Sequence, residues 1–279
     1  GHGNFGLSKE QLSFFVQGEL PFLSESGEPL VKEDGSFVMG PDGNGKCLHA
    51  LATSGILQKW KERGVQYINI ILVDNPLAVP FDAELLGWHA HLGGDVVVKC
   101  VPRDNPEEKV GVLVSEEEKI KVIEYSEMPK EAMRDTAKYP YANISLFSVT
   151  MDFAEKVANK ELPLHKAYKP AATNEGIVNG WKFEYFIFDF LPFASAHLLV
   201  YPRSEIFAPL KAKEGSNSPE EVKKSLEAYE RTLFESVTGL KAPKGPLELD
   251  AQFYYPTPAL KGAWKSAPLA DGGFIPSKV

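Results

Sequence analysis

The residues with the clearest chemical meaning form a glycine-rich loop near the start of the chain. Gly40 is followed after four residues by Gly45 and Lys46, which is the G-x-x-x-x-G-K spacing of a phosphate-binding loop. That motif continues with a Ser or Thr whose hydroxyl binds Mg²⁺, but this chain has Cys47, and a neutral thiol is a poor ligand for a hard cation. Asp42 also adds negative charge where phosphates would lie. The phosphate-loop hypothesis of an ATP-dependent enzyme is therefore weak, although it stays open.

A second glycine pattern stands at the first residues. Gly1, Gly3 and Gly6 match G-x-G-x-x-G, the spacing of dinucleotide-binding loops. Such a loop must follow a strand and open a helix, and no strand precedes Gly1 in this sequence. We interpret the match as a coincidence.

The carboxylate with the best context for chemistry is Asp74. It ends the near-continuous apolar run of residues 68–73, and such a run is typical of a central strand buried on both faces. The segment resembles the apolar strand and Asp that hold Mg²⁺ in phosphate-loop proteins. The alternative interpretation is that Asp74 only caps the following turn.

The composition excludes two classes of partner. The chain has 279 residues, is 43% hydrophobic and carries a net charge of −8. No basic stripe is present, so we expect no nucleic acid, and no apolar run is long enough to span a membrane. Two cysteines in a chain of this length fit a reducing compartment, so we predict a cytoplasmic protein.

Strand and helix patterns alternate along the chain and predict an α/β fold with a mixed sheet. Residues 46–63 are predicted to form one helix, and residues 184–190 a strand. The polar residues 212–218 predict a linker, followed by a helix with Ser218 as N-cap and Gly239 as its stop. We therefore predict two domains, residues 1–213 as a catalytic core and residues 214–279 as a small C-terminal domain.

Six segments, in this order, carry a resemblance to a known family. They are GPDGNG (40–45), YINIILVDNPL (67–77), VGVLV with KVIEYSE (110–127), YANI (141–144), KFEYFIFDF (182–190) and FAPLK (207–211). The series resembles the UDP-sugar pyrophosphorylases, and within them the UDP-N-acetylglucosamine branch, whose loop reads P-D-G-N-G. The UDP-glucose branch more often carries a His at the position of Asn44.

The resemblance implies a glycosyltransferase-A-like nucleotidyltransferase core with a mixed, mostly parallel sheet. It implies a uridylyltransferase that joins UTP to a sugar 1-phosphate with Mg²⁺, releasing pyrophosphate and a UDP-sugar. The implied metal ligand is Asp74, and the implied catalytic residues are Asp74 and Lys211, which would face the phosphates. The implied substrate contacts are Gln17, Gly43, Asn44, Gly111, Glu124, Asn143, Phe186 and Phe188. In-line displacement at phosphorus needs alignment and charge neutralisation, so we expect no covalent enzyme intermediate.

The sequence also departs from the family. The family has a G-G-x-G-T-R-L-G loop upstream of FFVQG, and residues 1–279 contain no such motif. We therefore expect that this chain holds an incomplete nucleotide site and does not turn over alone, and that the missing N-terminal segment could be a separate chain. A non-catalytic UDP-sugar-binding fragment is the alternative. The sugar stays open between N-acetylglucosamine, N-acetylgalactosamine and glucose.

Overall fold

The computed structural model describes residues 7–263 and 273–277. The match to a dinucleotide loop at Gly1, Gly3 and Gly6 lies outside these residues. The strands are β1 (Glu19–Pro21), β2 (Met39–Pro41), β3 (Tyr67–Ile70), β4 (Val96–Pro102), β5 (Val112–Glu116), β6 (Lys119–Ile123), β7 (Tyr141–Thr150), β8 (His165–Thr173), β9 (Gly176–Glu184), β10 (Ala196–Val200), β11 (Leu247–Leu249) and β12 (Gly273–Ile275). The α-helices are α1 (Cys47–Thr53), α2 (Ile56–Glu62), α3 (Ala83–Leu92), α4 (Lys130–Arg134), α5 (Met151–Val157), α6 (Arg203–Ile206), α7 (Pro219–Thr238) and α8 (Pro258–Ala263).

A six-stranded mixed sheet forms the centre of the fold. Its order is β10-β4-β7-β5-β6, and β3 pairs with β7. The apolar runs of β4 and β7 are almost entirely buried, as expected for strands covered on both faces. The predicted α/β class with a mixed sheet is confirmed.

The neighbouring strands of this sheet are mostly antiparallel, and not mostly parallel as the resemblance implied. The pair β10–β4 is parallel, whereas β7 is antiparallel to β3, β4 and β5, and β6 is antiparallel to β5. The physical reason is the central place of β7, which runs against the strands on both of its edges.

Two local predictions are wrong in an informative way. The single helix predicted over residues 46–63 is divided into α1 and α2 at Gly55, which adopts the left-handed conformation (φ 75°) that glycine tolerates. The strand predicted over residues 184–190 ends early, because Ile187–Phe193 forms a 3-10 helix. The main core packs around this segment, with Ile187, Phe190 and Leu191 at most 1% exposed.

Small sheets flank the central one. The long hairpin β8–β9 and the pair β1–β2 are both antiparallel. A backbone bridge between Gly43 and Tyr185 joins the loop after β2 to the segment after β9. The glycine-rich loop is therefore fixed beside the 3-10 helix.

The C-terminal part begins with α7, as the sequence predicted. The Ser218 side chain accepts a hydrogen bond from the Glu221 N–H, and Gly239 ends the helix with φ 74°. The helix contributes to a second apolar cluster of Phe234, Val237, Leu247, Leu249, Phe253, Leu260 and Ile275. The division at residue 213 remains a prediction.

Within the described residues, no helix combines the length and apolarity needed to cross a membrane.

Candidate functional site

The glycine-rich loop contacts the backbone of Tyr185 directly. The Tyr185 N–H donates to the Asp42 carbonyl at 2.8 Å, and the Gly45 N–H donates to the Tyr185 carbonyl at 2.9 Å. Gly43 has φ 85°, and a side-chain carbon there would overlap the Tyr185 carbonyl oxygen. The glycines are thus required by packing within the protein.

Three of the predicted substrate residues lie together at this loop. The Gln17 amide donates a hydrogen bond to the Gly43 carbonyl, and the Asn44 side-chain oxygen accepts one from the Ile187 N–H at 2.9 Å. Gln17, Gly43 and Asn44 line a cavity of about 390 Å³ beside α1. The recess combines amide groups with apolar surface, which suits a base and its ribose.

Lys46 and Cys47 do not form a phosphate cradle. The Lys46 ammonium lies 3.7 Å from the Asp42 carboxylate and 4.4 Å from the Tyr185 ring centroid. Burial raises the pKa of the Cys47 thiol to about 11, so the thiol stays neutral. The N–H groups of Gly45 and Cys47 donate to the carbonyls of Tyr185 and Asn44. This geometry argues against the phosphate-loop hypothesis.

The structure brings Asp74 and Lys211 together. The Lys211 ammonium lies 3.6 Å from the Asp74 carboxylate. The Leu210 N–H also donates to the Asp74 carbonyl at 2.7 Å, which fixes the two backbones beside each other. Both side chains are solvent-accessible, at 32% for Asp74 and 54% for Lys211. The pair can therefore reach a phosphate.

Asn75, which the sequence analysis did not single out, holds the chain segment that leads to Lys211. Its side chain is 4% exposed. The amide donates to the Ile206 carbonyl at 2.8 Å and accepts from the Ala208 N–H at 3.0 Å. An Asn directly after Asp74 in a buried context was the available signal, because a buried amide must find hydrogen-bond partners.

A second group contains Gly111, Glu124 and Asn143. The Asn143 N–H donates to the Gly111 carbonyl at 2.8 Å. A side-chain carbon at Gly111 would lie 2.7 Å from Val122 Cγ1 and 3.1 Å from Glu124 Oε1, so a larger residue would displace the carboxylate. The Asn143 amide oxygen accepts from the Ser145 N–H at 3.1 Å.

The electrostatics of Glu124 link this group to the other residues. Burial raises the pKa of Glu124, and the neighbouring Glu127 raises it further. The positive charges of His165 and Lys211 oppose these effects. Lys211 thus acts on both Asp74 and Glu124, which connects the predicted phosphate and sugar residues in one region.

Phe186 and Phe188 form an aromatic pair at the start of the 3-10 helix. Their ring centroids are 5.0 Å apart, and their planes are inclined by 24°. Phe188 is 5% exposed and belongs to the main core, whereas Phe186 packs against that core and is partly accessible. Phe186 is therefore the better placed of the two to contact a ligand.

His165 contacts this aromatic pair and two carboxylates. Its ring centroid lies 4.8 Å from that of Phe186. Nδ1 lies 2.6 Å from Glu127 Oε1, and Nε2 lies 2.9 Å from Asp189 Oδ2. Burial lowers the pKa of His165, but the two carboxylates outweigh this effect and hold the pKa above its usual value. No sequence spacing indicated this cluster, because its members come from three separate segments.

The sequence matches a family of known proteins. A family model described as UTP–glucose-1-phosphate uridylyltransferase matches residues 4–215. The chain belongs to this family. The resemblance seen in the sequence is thereby confirmed.

Relatives of this uridylyltransferase-family chain are known in several organisms. It is 36% identical over 228 residues to UDP-N-acetylglucosamine diphosphorylase 2 of Arabidopsis thaliana, a match that covers 77% of the chain and 45% of the relative. It is 35% identical over 237 residues to a probable UDP-N-acetylglucosamine pyrophosphorylase of Schizosaccharomyces pombe, covering 77% of the chain and 50% of the relative. The chain spans about half the length of the curated relatives it matches.

Solved structures are similar over most of the uridylyltransferase-family chain. A putative UDP-N-acetylglucosamine pyrophosphorylase from Entamoeba histolytica superposes with a TM-score of 0.79 at 31% identity, covering 99% of this chain and 71% of that one. The Trypanosoma brucei UDP-N-acetylglucosamine pyrophosphorylase, in complex with an inhibitor, gives 0.74 at 28% identity, covering 84% and 50%. The matching relatives are longer polypeptides, so the comparisons do not support a separate chain for the N-terminal segment.

Proposed function

We propose that this chain is part of a uridylyltransferase that forms UDP-N-acetylglucosamine, or a close UDP-sugar, from UTP and the sugar 1-phosphate. The observation that carries the proposal is the contact between Asp74 and Lys211 at 3.6 Å, beside Glu124. One cation and one anion, both accessible, suit the binding of two phosphorylated substrates. The names of the similar proteins support the choice of N-acetylglucosamine.

The recess lined by Gln17, Gly43 and Asn44 is proposed to take the uridine. Glu124 and Asn143 would bind sugar hydroxyl and N-acetyl groups, and Phe186 would cover one face of the ring. The Phe188 ring stacks against the Phe186 ring and supports it. Gly111 leaves the space that the Glu124 carboxylate occupies.

The chemistry asks for alignment and charge neutralisation. A phosphate oxygen of the sugar 1-phosphate attacks the α-phosphorus of UTP, and pyrophosphate leaves in line. The Lys211 ammonium would neutralise negative charge on the phosphates, and its length and mobility let it follow the reacting group. Neither cysteine fits a nucleophilic role, because burial raises the pKa of both thiols.

Mg²⁺ fits the proposed phosphate site with Asp74 as its protein ligand. The described residues contain no cluster of three or more His, Cys, Asp or Glu side chains that could hold a metal ion. Mg²⁺ is commonly bound by one or two carboxylates together with substrate phosphates, so a single accessible carboxylate is sufficient. When bound, the ion would supply positive charge to the phosphates.

Isothermal titration with UDP-N-acetylglucosamine and UDP tests the proposal on the 279-residue chain. We expect both to bind, the sugar nucleotide more tightly, and Lys211→Met to weaken both about 10- to 100-fold through loss of a charge-assisted contact. Lys223→Met, an exposed change on α7, is the matched control and should leave binding unchanged. Equal affinities for the two variants would contradict the proposal.

A pyrophosphate-release assay with UTP and N-acetylglucosamine 1-phosphate separates the enzyme from a non-catalytic binding fragment. Because residues 1–279 contain no G-G-x-G-T-R-L-G motif, we expect this polypeptide to bind the product without forming it. Turnover by the chain alone would contradict that expectation and support the activity.

The cytoplasm remains the proposed compartment, consistent with the free thiols of Cys47 and Cys100.

A further inference from the structure

We propose that His165, as an imidazolium, is a positioning residue that joins the two walls of the sugar site. The inference rests on the proposed function and deepens it. Glu127 lies on one side of the ring at 2.6 Å, and Asp189 lies on the other at 2.9 Å. Each nitrogen of the ring therefore faces a carboxylate oxygen.

Only the protonated ring satisfies both contacts. A neutral imidazole has one N–H donor and one acceptor nitrogen, whereas the imidazolium donates from both nitrogens. In the neutral form, a lone pair of His165 would face a carboxylate lone pair of either Glu127 or Asp189. The bridge between the two carboxylates therefore depends on the proton.

The two carboxylates belong to different walls of the site. Glu127 closes a turn with Glu124, because the Glu127 N–H donates to the Glu124 carbonyl at 3.0 Å. Asp189 lies in the 3-10 helix directly after Phe188. The His165 ring also packs on Phe186 at 4.8 Å. His165 thus fixes the turn that carries Glu124 relative to the aromatic pair.

The charge of His165 also acts on Glu124. The titratable and charged groups around the ring include Glu127 and Asp189, Glu184 directly opposite His165 on β9, and Glu124, on which Lys211 also acts. Positive charge at His165 favours the ionised form of Glu124, which accepts hydrogen bonds from sugar hydroxyls. Loss of the imidazolium proton would loosen the turn and remove a positive charge that favours the ionised form of Glu124.

The test separates binding of the sugar from binding of the nucleotide. Affinities for UDP and for UDP-N-acetylglucosamine are measured by titration calorimetry on the wild-type chain and on His165→Gln, whose amide can reach only one carboxylate as a donor. We expect the UDP affinity to stay within about twofold and the ratio of the two affinities to fall about tenfold. His91→Gln, on the solvent-exposed side of α3, is the matched control and should keep the wild-type ratio.

The pH dependence distinguishes positioning from a merely structural role. In the wild type, the affinity ratio should fall as the pH rises through the pKa of His165, and in His165→Gln it should show no such step. Glu127→Gln removes one carboxylate at a half-exposed position, so the step should move to lower pH. Circular dichroism checks that each variant is folded.

Three outcomes would count against the inference. The inference would be overturned if folded His165→Gln kept the wild-type ratio of the two affinities at all pH values. It would also be overturned if this variant lost UDP and UDP-sugar affinity equally. Either result would leave the proposed function intact. A wild-type chain that binds neither UDP nor UDP-N-acetylglucosamine would overturn the proposed function together with this inference.

Discussion

Replacement of Asn75 by Ala is expected to destabilise the protein and to release the segment that carries Lys211. The Asn75 side chain is 4% exposed and pairs with the Ile206 carbonyl at 2.8 Å and the Ala208 N–H at 3.0 Å. Ile206 and Ala208 are themselves buried, at 7% exposure each. Each of these two buried groups left without a partner costs about 1–3 kcal/mol, so the free energy of unfolding should fall by about 2–6 kcal/mol.

Urea unfolding followed by far-UV circular dichroism measures this change. Asn179→Ala removes the same atoms at an exposed position on β9 and is the matched control, expected within about 0.5 kcal/mol of the wild type. Asn75→Asp keeps an acceptor for the Ala208 N–H but turns a carboxylate oxygen towards the Ile206 carbonyl, so it should be at least as unstable as Asn75→Ala.

The functional consequence follows from the backbone contact between Leu210 and Asp74 at 2.7 Å. If the segment after Ile206 loosens, Lys211 loses its fixed position beside Asp74, and UDP-N-acetylglucosamine should bind more weakly to the folded variant. An unfolding free energy within about 0.5 kcal/mol of the wild type would refute the energetic reasoning. A large loss of stability with unchanged nucleotide affinity would refute the positioning role.

Three further changes test the loop and the sugar site. Gly43→Ala should cost about 1–3 kcal/mol in urea unfolding, because φ is 85° and the new carbon overlaps Tyr185, whereas Gly64→Ala, with φ 79° and open space, should cost less. Glu124→Gln should weaken UDP-sugar binding in calorimetry yet raise the free energy of unfolding. Because the pKa of Glu124 is raised in the folded state, its stabilising contribution is present at low pH and is lost as the pH rises through the folded-state pKa. The difference in unfolding free energy between Glu124→Gln and the wild type should therefore widen with pH. A difference that stays constant with pH would contradict this reasoning. Lys46→Ala should leave UDP affinity within about twofold, and abolished binding would revive the phosphate-loop hypothesis.

The sequence was sufficient to single out Asp74, which the proposal places at the phosphate end of the site. A buried apolar strand followed by Asp74 has a local signature, since the run of residues 68–73 predicts its own burial. The structure places Lys211 against this carboxylate at 3.6 Å. Their proximity itself was not readable from spacing, because it depends on the path of the chain between them. It entered only through the family resemblance.

The 3-10 helix shows where a local pattern fails. Residues 184–190 are rich in aromatic side chains, and such a short run is typical of a strand, yet Ile187–Phe193 forms a 3-10 helix. The Ile187 N–H donates to the Asn44 side chain at 2.9 Å, so a distant loop accepts one of the donors at the helix start. A tertiary contact of this kind is invisible to a periodicity argument.

The hydrogen bond between Asn44 and Ile187 also links the proposed uridine and sugar ends of the site. Asn44 lines the proposed uridine recess. Its side-chain oxygen accepts a hydrogen bond from the N–H of Ile187, the residue between Phe186 and Phe188. The Gly45 N–H donates to the carbonyl of Tyr185, the residue directly before Phe186, and this bond also fixes the loop. A shift of the loop must therefore shift the aromatic pair, because packed elements joined by buried hydrogen bonds move together. In the proposed site, we therefore expect recognition of the base and of the sugar to be coupled through Asn44, so that a different side chain at this position would alter both.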